Sequence, residues 1–161
     1  MPMLNKLKEF LDQAKISYEV YTHPSAYTAQ EVAESQHISG KEVAKVVMLK
    51  ADGSFVMAVV PASRMISFDK VRAALGAREI SLAKEDEFIS LFPGCEIGGM
   101  PPFGNLFGLP VYVDPALEED ETIVFNAGNH QQSVRLRYTD FKDLVKPQVV
   151  PLTHGKERRA A

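Results

Sequence analysis

Residues 43–60 read Val-Ala-Lys-Val-Val-Met-Leu-Lys-Ala-Asp-Gly-Ser-Phe-Val-Met-Ala-Val-Val. Two runs of β-formers, 43–50 and 54–60, flank Ala51-Asp52-Gly53, whose composition is that of a hairpin turn. This hairpin sets the expectation for the rest of the chain, because it calls for antiparallel pairing.

Working outward, Leu4, Leu7, Leu11 and Ala14 recur at helical spacing and predict an amphipathic opening helix. Residues 18–22 read as a short strand stopped at His23-Pro24, and Thr28-Ala-Gln-Glu31 has the form of a capping box opening a helix that ends near Ser35. On the other side, Ser67 suits the N-cap of a helix ending at Gly76, and residues 81–91 predict a further helix stopped by Phe92-Pro93-Gly94. Strands are expected over 109–113, 122–126 and 134–138, followed by a short helix over 139–145. Pro147 and Pro151 then lead the chain outward, so residues 1–150 are expected to form one domain and 151–161 a flexible tail. Strands and helices do not alternate strictly. The expected fold is therefore α/β of the α+β kind, a mixed, largely antiparallel sheet with flanking helices and not a doubly wound parallel one.

The 161 residues are 45% hydrophobic and 24% charged, which excludes disordered, collagenous and coiled-coil classes. Eighteen basic and 21 acidic residues give a net charge of −3, and the body without 151–161 carries −5. Coating long nucleic acid calls for a basic protein; gripping only the end of an RNA needs a few local cations. The single cysteine, Cys95, cannot form an internal disulfide, and no apolar run reaches membrane-spanning length. A reduced, cytoplasmic protein with no membrane partner is the expectation.

Familiar catalytic signatures are missing. The histidines at 23, 37, 130 and 154 are scattered and Cys95 has no CxxC partner, so no metal site is expected. The phosphate-binding, dinucleotide-binding and nucleophile-elbow glycine motifs are absent as well. Three features remain. Lys45 shares a strand face with Val43, Val47 and Leu49, where it either snorkels from a core edge or points into a pocket. Gly98-Gly99-Met100-Pro101-Pro102 is either a plain turn or a stiffened loop whose Gly98, Gly99 and Met100 amides bind a carbonyl or oxyanion. His130, two places after Gly128 at a strand end, either orients a substrate or only shapes its turn. Arg64 is open between ligand binding and an ordinary loop role, and Cys95 reads as a buried, inert thiol.

In this order and over residues 4–147, these features resemble the YbaK/ProX family, single-domain aminoacyl-tRNA deacylases related to the editing domain inserted in bacterial prolyl-tRNA synthetases. Val43-Ala44-Lys45-Val46-Val47 matches the family's lysine position, Gly98 to Pro102 its GxxxP loop, and Gly128-Asn129-His130 its Gly-x-His turn. Val46 stands where members that clear alanine from proline tRNA tend to carry asparagine.

The resemblance implies a mixed sheet curled towards a barrel, and hydrolysis of the ester between a mischarged small amino acid and the 3′-terminal adenosine of a tRNA. It assigns Lys45 to the terminal phosphate or ribose, the Gly98 to Pro102 backbone to the aminoacyl carbonyl, and His130 to the pocket lining. It implies no metal or organic cofactor, and a synthetase or elongation factor as a presenter of the tRNA. Lys41, Lys45, Lys50, Arg64, Arg135 and Arg137 are available for a basic rim. The alternative is a non-catalytic module that binds an aminoacyl group, a tRNA end or a synthetase; a third reading is hydrolysis of a small ester unrelated to tRNA. The oligomeric state is left open.

Overall fold

The computed structural model describes residues 3–22 and 40–154. The expected capping-box helix, and the His23-Pro24 stop before it, lie outside these residues.

The hairpin forms as expected. Strands β2 (Ala44–Ala51) and β3 (Ser54–Pro61) pair antiparallel, with Ala51 opposite Ser54. Asp52 and Gly53 turn the chain at φ 50° and 87°, the two positive values a tight hairpin turn needs to match strand twist. The Asp52 carboxylate accepts from the amides of Arg78 at 3.0 Å and Glu79 at 2.8 Å, which ties the tip to the next connection.

The hairpin is the centre of a five-stranded sheet. Strand β4 (Ile80–Leu82) joins the free edge of β2 antiparallel, and β5 (Val111–Val113) joins β3 in parallel, with the short β8 (Gln148–Val149) beyond it. A second, antiparallel sheet has the order β1 (Tyr18–Thr22), β7 (Gln132–Arg137), β6 (Thr122–Asn126). The mixed, largely antiparallel reading therefore holds. Closure into a barrel does not: among the described residues the two sheets meet at the parallel bridge Val43–Val124. The outer strands of the larger sheet, three and two residues long, are too short to carry a closing ladder.

Both faces of the hairpin are covered. Ala44, Met48, Met57 and Val59 face the main core, which holds Leu7 and Leu11 of α1 (Asn5–Gln13) and Phe141 of the C-terminal helix Tyr138–Val145. At its centre Phe103 is fully buried, with its ring 5.4 Å from that of Phe125 and 5.6 Å from that of Phe141. Leu49, Val56, Ala58 and Val60 face the other way, onto Val71 of helix α2 (Phe68–Leu75) and Leu152. Ser67 caps α2 by accepting from the Lys70 amide at 3.2 Å, and Gly76 ends it at φ 65°.

Two expectations need correction. Residues 81–91 are not one helix: Ser81 pairs with Lys50 in β4, and only then come the short helix α3 (Glu85–Phe88) and a 3₁₀ turn (Ile89–Leu91). The open edge of β2 claims the segment's start, and the Glu87 carboxylate accepts from the Lys84 amide at 2.8 Å to begin the helix later. The packed body also runs past Pro151. Leu152 and Thr153 are buried, and one oxygen of the buried Asp114 accepts from both their amides and from the Thr153 hydroxyl. With the C-terminal helix named α4, these elements place two loops together: the one between the turn at 89–91 and Phe103, and the one between β6 and β7.

Candidate active site

The loop 98–102 and the turn 128–130 form one clasp. The Gly128 amide donates to the Gly99 carbonyl at 2.8 Å, and the Glu96 amide donates to the Gly128 carbonyl at 2.9 Å. The Gly99 amide donates back to the Glu96 carbonyl at 2.9 Å, closing a tight turn in which Gly98 sits at φ 83°. A Cβ on Gly99 would stand 2.9 Å from Asn129 backbone atoms, so only glycine lets the two chains approach this closely.

Side chains reinforce the clasp from both loops. The Asn126 amide nitrogen donates to the Gly98 carbonyl at 3.3 Å. Because that partner can only accept, the Asn126 amide orientation is fixed. Asn129 Oδ1 accepts from the amides of Gln131 and Gln132 and so shapes the turn into β7. The Glu96 carboxylate accepts from the His130 amide at 2.9 Å. His130 is 4% exposed, and its ring Nε2 meets the Ile97 carbonyl, which requires the proton on Nε2.

These contacts redistribute the roles expected of the glycine loop. The Gly99 amide is committed to Glu96 and so cannot also serve an oxyanion. Met100, Pro101 and Pro102 are buried, with Met100 in the main core, and Phe103 behind them anchors the loop. Gly98 is exposed, and the amides of Gly98 and Met100 take no hydrogen-bond partner among the described residues.

Lys45 stands two residues after the bridge that joins the two sheets. Val43 bridges Val124 in parallel and packs with it and Ala62, so two residues on, and on the same faces, stand Lys45 and Asn126. Lys45 is half-buried and makes no hydrogen bond or ion pair among the described residues. Burial alone holds its ammonium pKa below the ordinary lysine value. Val46, on the opposite face, packs against the main core.

The sequence pattern of the aminoacyl-tRNA editing domain matches residues 23–144. The chain belongs to that family. Its class of activity is aminoacyl-tRNA deacylation. The editing domain is 29% identical over 150 residues to the multifunctional Ser/Thr-tRNA deacylase ProXp-y of Escherichia coli K12, covering 90% of this chain and 89% of that protein. It is 32% identical over 93 residues to a proline–tRNA ligase of Thermosipho africanus, covering 58% of this chain and 16% of the ligase. A crystal structure described as a proposed trans-editing enzyme for prolyl tRNA synthetase superposes with a TM-score of 0.81 at 21% identity, covering 94% of this chain and 96% of that one, which is a likeness of fold.

Of the six cations available to this editing domain for a basic rim, Lys50, Arg135 and Arg137 form ion pairs with other described residues. Lys50 pairs with Glu87 at 2.9 Å, Arg135 with Glu42 at 2.8 Å, and Arg137 with Asp140 at 3.6 Å. Lys41 and Arg64 lie at the Lys45 end of the hairpin, where Ala44 pairs with Pro61. Arg64 is held there by its amide on the Pro61 carbonyl and by its guanidinium, 3.4 Å from the His154 carbonyl. Cys95 is half-buried, and burial pushes its thiol up to about 11, which suits the inert reading.

Sequence reasoning missed Glu96 altogether. A single acid between Cys95 and Ile97 belongs to no motif, and its partners in the histidine turn, Gly128 and His130, lie 32 and 34 residues away in sequence. Asn126 stood at the edge of the motif that drew attention to His130, but its bond to Gly98 has no signature in sequence either.

Proposed function

We propose that this editing domain acts in trans on tRNAs wrongly charged with a small amino acid. It hydrolyses the ester that joins the amino acid to the terminal adenosine. The observation that carries the reading is the clasp itself, in which the Gly98 and Met100 amides take no hydrogen-bond partner among the described residues, just as the Lys45 ammonium takes none among them.

In this reading the two amides receive the aminoacyl carbonyl and stabilise the negative charge that grows on its oxygen. Lys45 receives the phosphate or ribose of the terminal nucleotide; an anion there offsets the cost of half-burying its ammonium. Arg64 supplies a second cation at the same end. Gly99, Pro101, Pro102 and Gly128 act by holding the loop's shape. His130 acts from beneath it, through Ile97.

Water adds to the ester carbonyl carbon, the bond to the ribose oxygen breaks, and the water's proton ends on that oxygen. Free amino acid and a tRNA with an intact terminal ribose result. The ester is already activated, so positioning and charge stabilisation account for the acceleration without a nucleophilic side chain. Presentation of the tRNA by a synthetase or elongation factor fits an acidic protein whose local cations suffice for an RNA end.

The test is release of labelled amino acid from tRNAs charged with serine, threonine, alanine or cysteine, by wild type and Lys45→Ala in parallel. Turnover of one or a few, lost in the variant, is the expected result. A folded wild-type protein that turns over none of them, while still binding tRNA, would favour the non-catalytic reading.

A further inference from the structure

Glu96 bonds to both sides of the clasp through three separate groups. Its amide reaches Gly128, its carbonyl receives Gly99, and its carboxylate receives the His130 amide. The first two bonds use backbone atoms and would form with any residue but proline at position 96. The third needs an acceptor on a side chain of this length, and it is charge-assisted. It closes a circuit: Glu96 holds the His130 backbone, and the His130 ring holds the Ile97 carbonyl, one residue before Gly98.

We propose that Glu96 is a positioning residue for the deacylation reaction, fixing through His130 the direction of the Gly98 and Met100 amides. The inference rests on the function proposed above. The carboxylate touches no reacting atom in this scheme; it prevents the loop carrying the amides from rotating away from its turn. Misplacement of an oxyanion donor by about an ångström costs up to ~100-fold in rate. Binding of the RNA end through Lys45 does not pass through this circuit.

The test compares wild type, Glu96→Ala and Glu96→Gln in two measurements. Steady-state kinetics use the charged tRNA that wild type turns over fastest. Amide hydrogen exchange is followed over 96–100 and 128–130 in the free proteins. Glu96→Ala is expected to lower kcat by ~10- to 100-fold with KM within about twofold, and to speed exchange in both segments. Glu96→Gln keeps an acceptor of the same length and is expected to restore most of kcat and of the protection. Unchanged exchange in Glu96→Ala overturns the clasp role. Faster exchange with kcat unchanged overturns the positioning role. So does a loss that Gln fails to rescue. A wild type without turnover would sink the deacylase reading instead, and the exchange data would still decide the clasp.

Discussion

Gly99 and Asn129 meet backbone to backbone: a Cβ built on Gly99 stands 2.9 Å from both the Cα and the carbonyl carbon of Asn129. That approach joins the glycine loop to the histidine turn, and it has no slack, because the clashing atoms are main chain. Gly99→Ala is therefore expected to spread the clasp, costing about 1–3 kcal/mol in stability and lowering deacylation at least tenfold. Thermal melts and single-turnover rates check both. A folded Gly99→Ala protein with the wild-type rate would show that the approach has no bearing on chemistry.

His130 is expected to matter more for stability than a substrate-contacting histidine would. The residue is 4% exposed and its ring is bonded to the Ile97 carbonyl. His130→Ala opens a cavity and leaves that carbonyl unpaired, a loss of about 2–4 kcal/mol. The rate should fall because the loop loses its support, while KM for tRNA stays near wild type. Urea unfolding alongside kinetics decides the matter. Wild-type stability with no activity would assign the imidazole directly to catalysis.

Lys45 should behave in the opposite way. A half-buried ammonium with no partner among the described residues costs stability, so Lys45→Met is expected to melt at or above the wild-type temperature at pH 7. Its kcat/KM should drop by roughly 10- to 100-fold, as for loss of a bond to a charged group. The pH dependence has a definite sign. Burial holds the folded pKa below the ordinary 10.5, so between the two values the unfolded chain binds the extra proton. The penalty is present in full below the folded pKa and fades as pH rises through it. Wild type should therefore gain on Lys45→Met in Tm between pH 7 and pH 10. A constant difference would mean that Lys45 is as well solvated folded as unfolded.

The order in which these residues became legible has a physical basis. The Asp52-Gly53 turn and the strands at 18–22 and 122–126 are dictated by local chemistry, and they fall where the sequence places them. The segment 81–91 misleads because Glu85, Asp86 and Glu87 look like a helix start, while the pull on Ser81 comes from the distant edge of β2. The lysine, glycine loop and histidine are each visible as motifs. What each amide and ring nitrogen is committed to is not: Gly99 to Glu96, and His130 to Ile97, 33 residues away. Those commitments tie the His130 ring to the backbone just before Gly98, and in the proposed reading they make it a support of the loop.

Asp114 offers the control that separates stability from chemistry. Its carboxylate is buried, with Oδ1 accepting from the amides of Leu152 and Thr153 and the Thr153 hydroxyl, and Oδ2 from the Ala116 amide at 3.0 Å. None of these partners belongs to the clasp. Asp114→Ala strands the Leu152 and Thr153 amides in the interior, frees the half-buried Ala116 amide and is expected to cost about 2–5 kcal/mol. Hydrogen exchange should quicken over 148–154 but not over 96–100, and kcat measured well below the melting temperature should stay within about twofold of wild type. A kcat loss as large as that of Gly99→Ala would mean that the clasp draws its rigidity from the whole body of the protein, and not from its own local bonds.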